Sequence, residues 1–260
     1  MGRCTHSGRL MLRAQSRVST VAGFDGREHA VLVQTMNQAW QRPTEQIVLS
    51  AVEKKHRVLG FTCPGDGSSV GALCRMVAEG FARAGMPTLL VDLTAPVQVG
   101  DGQPSWAPGE QGIAQGIVAD ADGFDRLIVR PTPKTRYRFN NVERFRFSLV
   151  EDLNRYKRIV VVLPDVVEAG DEHINPAGPA AACDAVFMLC TRSRVGRSQL
   201  VSANQRLQSA GVKINGLIVD DAHCKTLGQE MAVSVLWLLR FAPKLANWIA
   251  TRIRNIKYLN

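Results

Sequence analysis

A strand-like run, Val58-Leu-Gly-Phe-Thr62, passes into Cys-Pro-Gly-Asp-Gly-Ser-Ser-Val70 and then directly into a helical pattern. A glycine-rich turn between a buried strand and a helix N-terminus gathers backbone N–H groups that can cradle phosphate oxygens. Phosphoryl chemistry in such a loop asks for more: a lysine after the last glycine to reach the outer phosphates, and an adjacent hydroxyl for Mg²⁺. Here Gly67 is followed by Ser68 and Ser69, so the hydroxyl is kept and the cation is gone. The candidate nucleotide or anion contacts are Gly65, Asp66, Gly67, Ser68, Ser69 and Val70, with Asp92 at the end of the next strand-like run. Ser69 also reads as a plain helix N-cap, and Asp92 and Asp165 as solvated strand-end carboxylates. His173 and His223 show no metal-ligand spacing, and no metal site is expected.

Placing these residues requires a particular set of elements. Short Val/Ile/Leu-rich runs at Val58–Thr62, Thr88–Asp92, Arg126–Val129, Ile159–Leu163, Ala185–Cys190 and Ile214–Val219 read as strands buried on both faces. Helical patterns separate them: Ser69–Ala84 ending at Gly85, Val142–Tyr156, and Arg197–Ala210 closed by Gly211. Another helix covers residues 28–53, with Pro43 interrupting it. The alternation predicts an α/β fold, a doubly wound, mostly parallel sheet flanked by helices in three Rossmann-like layers. Its ligand crevice lies beyond the strand C-termini, where residues 63–69, 92–96 and 163–168 converge. Residues 1–26 read as a flexible basic arm, 27–225 as the α/β domain and 226–260 as C-terminal helices; Val97–Gly116 reads as a surface loop.

The order of these segments resembles the cytoplasmic tyrosine-kinase ATPases of bacterial capsular and exopolysaccharide export, P-loop proteins related to the Min and partitioning ATPases. The resemblance runs over roughly residues 28–220. The family's "VTSxxPGEGKST" is matched by Thr62-Cys-Pro-Gly-Asp-Gly-Ser-Ser-Val70, about two residues shorter and with Ser68 for the lysine. Its "LLVDxDxRxP" becomes Leu89-Leu-Val-Asp-Leu-Thr-Ala-Pro96, with Asp92 kept, Thr94 for the second acid and no arginine. Its "LxxRYDYVIIDTPP" becomes Leu153-Asn-Arg-Tyr-Lys-Arg-Ile-Val-Val-Val-Leu-Pro164, with Val162 at the Walker B aspartate. Cys183-Asp-Ala-Val-Phe-Met-Leu-Cys190 and Gln205–Val219 follow the family pattern closely. The departures cluster on the chemistry. Ser68, Thr94 and Val162 remove most of the charge on which phosphoryl transfer depends, and no catalytic residue is expected. Lys54 and Lys55 lie on the wrong side of the strand to substitute, while Lys134 could reach in from a loop. ATP with Mg²⁺ is at most a weak ligand. The family's tyrosine-rich tail is also missing: of three tyrosines, only Tyr258 is near the end.

The bulk properties fit a globular domain with an anionic partner. The 260 residues carry a net charge of +9 and are 45% apolar, with a mean hydropathy of -0.05. No apolar run approaches the roughly 18–20 residues of a membrane span, and no secretory leader is read at the basic start. The six scattered cysteines contain no CxxC pair and read as buried thiols in a reducing compartment.

Two basic features direct attention to partners. Between Arg126 and Arg146, arginines that include Arg136 and Arg138 interleave with Tyr137, Phe139, Phe145 and Phe147; the plain alternative has these aromatics packing onto the sheet. From Phe241 onward, Leu245, Trp248, Ile249, Ile253 and Ile256 form one helical stripe, with Lys244, Arg252 and Arg254 among the basic residues. Such a helix suits either an anionic membrane interface or the domain core. The resemblance implies a pseudo-kinase scaffold or regulator of exopolysaccharide assembly, cytoplasmic and peripheral to the inner membrane. Its partner would be a membrane-embedded polysaccharide co-polymerase or similar protein, with self-association as a further expectation. The alternatives are a divergent active ATPase or tyrosine kinase, and a partitioning-type nucleic-acid binder. Nucleic acid is not the expected partner.

Overall fold

The computed structural model describes residues 10–14, 27–65, 69–97, 106–110, 116–167, 173–192 and 194–220, with 10–14 and 27–39 as backbone course alone. The chain divides into two units, Met1–Ala222 and His223–Asn260, and every described residue belongs to the first. Among the described residues the elements run β1 (Leu10–Ala14), α1 (Arg27–Glu53), β2 (Val58–Thr62), α2 (Val70–Arg83), β3 (Thr88–Asp92), β4 (Ile117–Ala119), β5 (Asp125–Ile128), α3 (Val142–Phe147), β6 (Arg158–Val162), α4 (Ala177–Ala181), β7 (Ala185–Thr191), α5 (Arg197–Ser209) and β8 (Ile214–Asp220). The strands make one sheet in the order β1-β8-β7-β2-β6-β3-β5-β4. Every pairing is parallel except β4 with β5.

This order follows from strands that bury both faces. Val58, Leu89, Val91, Ile159, Val161, Val186 and Met188 point into one core. Their neighbours in sequence, Leu59, Phe61, Leu90, Val160, Val162, Phe187 and Leu189, point into the other, as the period of two demands. α2 covers the second face with Val70, Leu73, Cys74, Val77, Ala78 and Phe81, an unbroken i, i+3, i+4 stripe. It closes in a Schellman motif: Gly85 sits at φ 71°, Gly85 N–H bonds Ala82 O at 2.9 Å and Met86 N–H bonds Phe81 O at 3.1 Å. Gly211 closes α5 in the same way, as its sequence position predicts.

The α/β, doubly wound parallel architecture is therefore as read from the sequence, and β2 and β3 have the predicted limits. Four local readings are corrected. Pro43 does not interrupt α1, because Trp40, Pro43, Thr44, Ile47 and Ala51 keep one buried stripe across it, which offsets the lost N–H bond. The helix expected over 142–156 ends earlier: α3 gives way to a π-type turn at Ser148–Asp152, where buried Ser148 accepts Gly109 N–H at 3.2 Å. Trp106 and Ala107, assigned to a surface loop, are core residues. Leu10–Ala14, assigned to the arm, is an edge strand parallel to β8; the rest of residues 1–26 lies outside the described residues.

Candidate functional site

The strand order reverses around β2. The chain leaves β2 through α2 to β3, stepping over β6, then returns by β6 and crosses β2 to reach β7. Crevices of doubly wound sheets form beyond the strand C-termini at such a switch. Three segments meet there: residues 62–65 with Ser69, residues 92–97, and residues 162–167.

The entry to the glycine-rich loop is stitched to the end of β6. Thr62 Oγ1 donates to Pro164 O at 2.8 Å. Val166 N–H bonds Cys63 O at 2.9 Å and Val167 N–H bonds Pro64 O at 3.0 Å, so the parallel pairing continues past both strands. Cys63 Sγ donates to Asp165 Oδ1 at 2.8 Å, which seats a carboxylate beside the mouth of the loop. Gly65, Ser69 and Val70 are buried. Ser69 occupies the N-cap position of α2 but its side chain makes no capping bond. Asp66, Gly67 and Ser68, the tip of the loop, lie outside the described residues.

Asp92 is committed on both oxygens. Its Oδ1 accepts Thr94 N–H at 3.0 Å and Thr94 Oγ1 at 2.6 Å, and its Oδ2 meets Arg126 Nη2 at 3.1 Å. Thr94 thus turns both its N–H and its hydroxyl toward Asp92. Val162 is 2% exposed and shares the core of α2 with Val160. Burial pushes the Cys74 thiol of α2 well up, and the charge of Asp92 adds to that rise, so this aspartate is felt behind the loop. Lys54 and Lys55 sit in the turn before β2, at the strand's other end, as predicted.

A cavity of about 560 Å³ adjoins the crevice through Val166. The 3₁₀ segment Arg136–Asn140 supplies Arg136, Tyr137 and Asn140, the approach to α4 supplies His173 and Asn175, and α5 supplies Arg206. Arg206 Nη1 donates to Val166 O at 3.0 Å and to Val167 O at 3.3 Å, fastening the loop after β6 to α5. Arg136 lies 4.6 Å from the centre of the Tyr137 ring, whereas Arg138 pairs with Glu110 at 2.5 Å. The interleaved aromatics divide: Phe139 and Phe145 are fully buried, while Tyr137 and Phe147 are exposed. Lys244, Trp248, Arg252 and Arg254 lie outside the described residues. Among the described residues no group of His, Cys, Asp or Glu could hold a metal ion, and no helix is long and apolar enough to cross a membrane.

Sequence reasoning missed Arg126 as the partner of Asp92, because only the parallel register of β3 with β5 sets them together. It also missed His173, Asn175 and Arg206 as neighbours of Arg136, since they come from separate elements with no shared motif.

No protein-family model matches this chain, and no curated protein matches it in sequence. Solved structures do match in fold. The kinase domain of VpsO superposes with a TM-score of 0.61 at 19% identity, covering 75% of this chain and 98% of that one. The kinase domain of the Escherichia coli tyrosine kinase ETK gives 0.55 at 16%, covering 72% and 73%. The BceF tyrosine kinase domain gives 0.51 at 18%, covering 72% and 75%. The structural neighbours are thus bacterial tyrosine-kinase domains, and at these identities what is shared is the fold.

Proposed function

We propose that this chain is a catalytically degenerate P-loop protein, a scaffold or regulator in bacterial exopolysaccharide assembly or export. The observation that carries the proposal is the state of the strand ends. A carboxylate at the position of Val162 would serve Mg²⁺; a buried valine stands there instead. The one acid kept, Asp92, is already bonded to Thr94 and Arg126. Asp165 adds negative charge beside the loop, and the sequence places Ser68 where the lysine would be. Such a donor set does not fit a Mg²⁺–nucleotide, since it repels phosphate without supplying a counter-charge. Residual anion binding would rest on the loop amides alone.

The pathway is inferred from the sequence resemblance and supported by the kinase-domain neighbours. In this reading the protein works in the cytoplasm against the inner membrane, docked on a polysaccharide co-polymerase or similar partner, and self-association is part of the same proposal. The basic C-terminal helix, with Lys244, Trp248, Arg252 and Arg254, is the segment proposed to meet that partner or an anionic lipid surface. The test is complementation of a host strain that lacks the chain. A Ser69→Ala, Asp92→Asn double variant, expressed to the same level, is expected to restore polymer output as fully as the unaltered chain. Output falling to that of the deletion strain would overturn the scaffold reading in favour of an active enzyme.

A further inference from the structure

The far end of the sheet carries a second basic feature, made by strand register and invisible as a motif. A cleft of about 310 Å³ opens at the N-terminal ends of the central strands. Arg57 precedes β2, Met86 precedes β3, and Asn154, Tyr156 and Lys157 lead to Arg158, the first residue of β6. Because Val58 pairs with Ile159, residues a hundred positions apart bring three cations to one cleft.

Among the described residues none of the three has a carboxylate within ion-pair distance. The nearby acids are committed elsewhere. Asp184 Oδ2 accepts the backbone N–H groups of Arg57 and Val58, and its Oδ1 pairs with Arg146. Asp125 accepts the Tyr156 hydroxyl and pairs with Arg155. Arg57 Nη2 donates to Leu153 O at 3.1 Å and Arg158 Nη1 to Lys157 O at 3.1 Å. The Nε of each guanidinium is buried without an acceptor among the described residues. A guanidinium has five donors, and leaving buried ones unmet is costly. Burial lowers the Arg158 pKa from its ordinary value, and the charge of Asp184 only partly opposes that.

We propose that this cleft binds a phosphate-bearing anion, with Arg57, Lys157 and Arg158 as its ligands. Two guanidinium forks match phosphate oxygens in geometry and the lysine adds a point charge. The volume admits a phosphate and a small attached group. The site stands apart from the glycine-rich loop, which lies at the opposite ends of the same strands, so the two are separable by mutation.

The experiment is calorimetric titration of the full chain with inorganic pyrophosphate at fixed ionic strength. Saturable binding is expected, weakened by at least about tenfold in Lys157→Glu and unchanged in Arg42→Glu, a charge reversal of an exposed cation on α1. Lys157 is exposed, and an unchanged urea midpoint would show that the variant still folds. A second arm measures sedimentation with phosphatidylglycerol vesicles against phosphatidylcholine vesicles. Loss of sedimentation in Lys157→Glu assigns the phosphate to a lipid headgroup; pyrophosphate binding without sedimentation assigns it to a soluble compound. The proposal is overturned if the unaltered chain shows no saturable binding, if Lys157→Glu binds as well as the unaltered chain, or if Arg42→Glu weakens binding as much as Lys157→Glu does.

Discussion

Asp184→Ala is expected to lower the stability of the α/β domain by about 2–4 kcal/mol, the range for breaking a part-buried network of charge-assisted hydrogen bonds. Asp184 precedes β7, yet its Oδ2 accepts Arg57 N–H at 2.8 Å and Val58 N–H at 2.9 Å, the backbone that opens β2. Its Oδ1 holds Arg146 at 2.8 Å, and Arg146 in turn reaches Ala182 O. One carboxylate thus joins the starts of two central strands to α3. Urea unfolding should show a lower midpoint with the slope unchanged, and Asp184→Asn, which keeps an acceptor, should lose less. Equal stability of Asp184→Ala and the unaltered chain would contradict this role.

The pH dependence has a definite sign. Burial on its own would raise the Asp184 pKa, but the N–H groups of Val58 and Arg57 and the Arg146 guanidinium outweigh it and hold the carboxyl below its ordinary value of 3.8. A depressed folded pKa gives stability that is present above the unfolded value and lost as pH falls through the folded one. The unaltered chain should therefore lose this contribution as the pH drops below 3.8, and Asp184→Ala should show a flatter profile in the same window.

Phe139→Ala carries the other large effect, a loss of about 3–5 kcal/mol. Phe139 is fully buried, edge-on to Trp106 with centroids 6.0 Å apart and tilted against Phe145 at 5.6 Å. It is the buried anchor of the 3₁₀ segment that carries Arg136, Tyr137 and Arg138. Amide exchange over residues 136–147 should accelerate more than exchange in β2 or β6, and Phe139→Leu should recover most of the stability. A loss no greater than that of an exposed aromatic, for which Phe147→Ala is the control, would show that the segment is held by something else.

Much of the fold was legible because its core strands are buried on both faces, so their sequences are dense apolar runs with little ambiguity of limits. Gly85 and Gly211 were legible as helix stops because a left-handed residue is required there. The strands at the edges were not. Ile117–Ala119 is three residues long and mostly exposed, and Leu10–Ala14 sits in a polar, basic stretch where β8 supplies the pairing. Trp106 was misread because a stretch rich in glycine, proline and glutamine masks one aromatic that tertiary packing buries. For the crevice, the reading of Thr94 and Val162 rests on the pattern of the family that the sequence resembles, a comparison that needs no geometry. What it could not supply was the pairing of Asp92 with Arg126, or the reach of Asp165 to Cys63, each fixed by strand register. In sequence the basic loop suits either a partner or the core; the structure divides it residue by residue, with Phe139 and Phe145 inward and Arg136 beside a cavity.

We propose that this crevice carries out no phosphoryl transfer. It is tested most directly by incubating the purified full chain with γ-labelled ATP and Mg²⁺, following phosphate release and phosphotyrosine together. The expected result is no release above the buffer and no labelled tyrosine, with Ser69→Ala indistinguishable from the unaltered chain. Turnover or phosphotyrosine that disappears in Ser69→Ala would contradict the claim and establish an active enzyme.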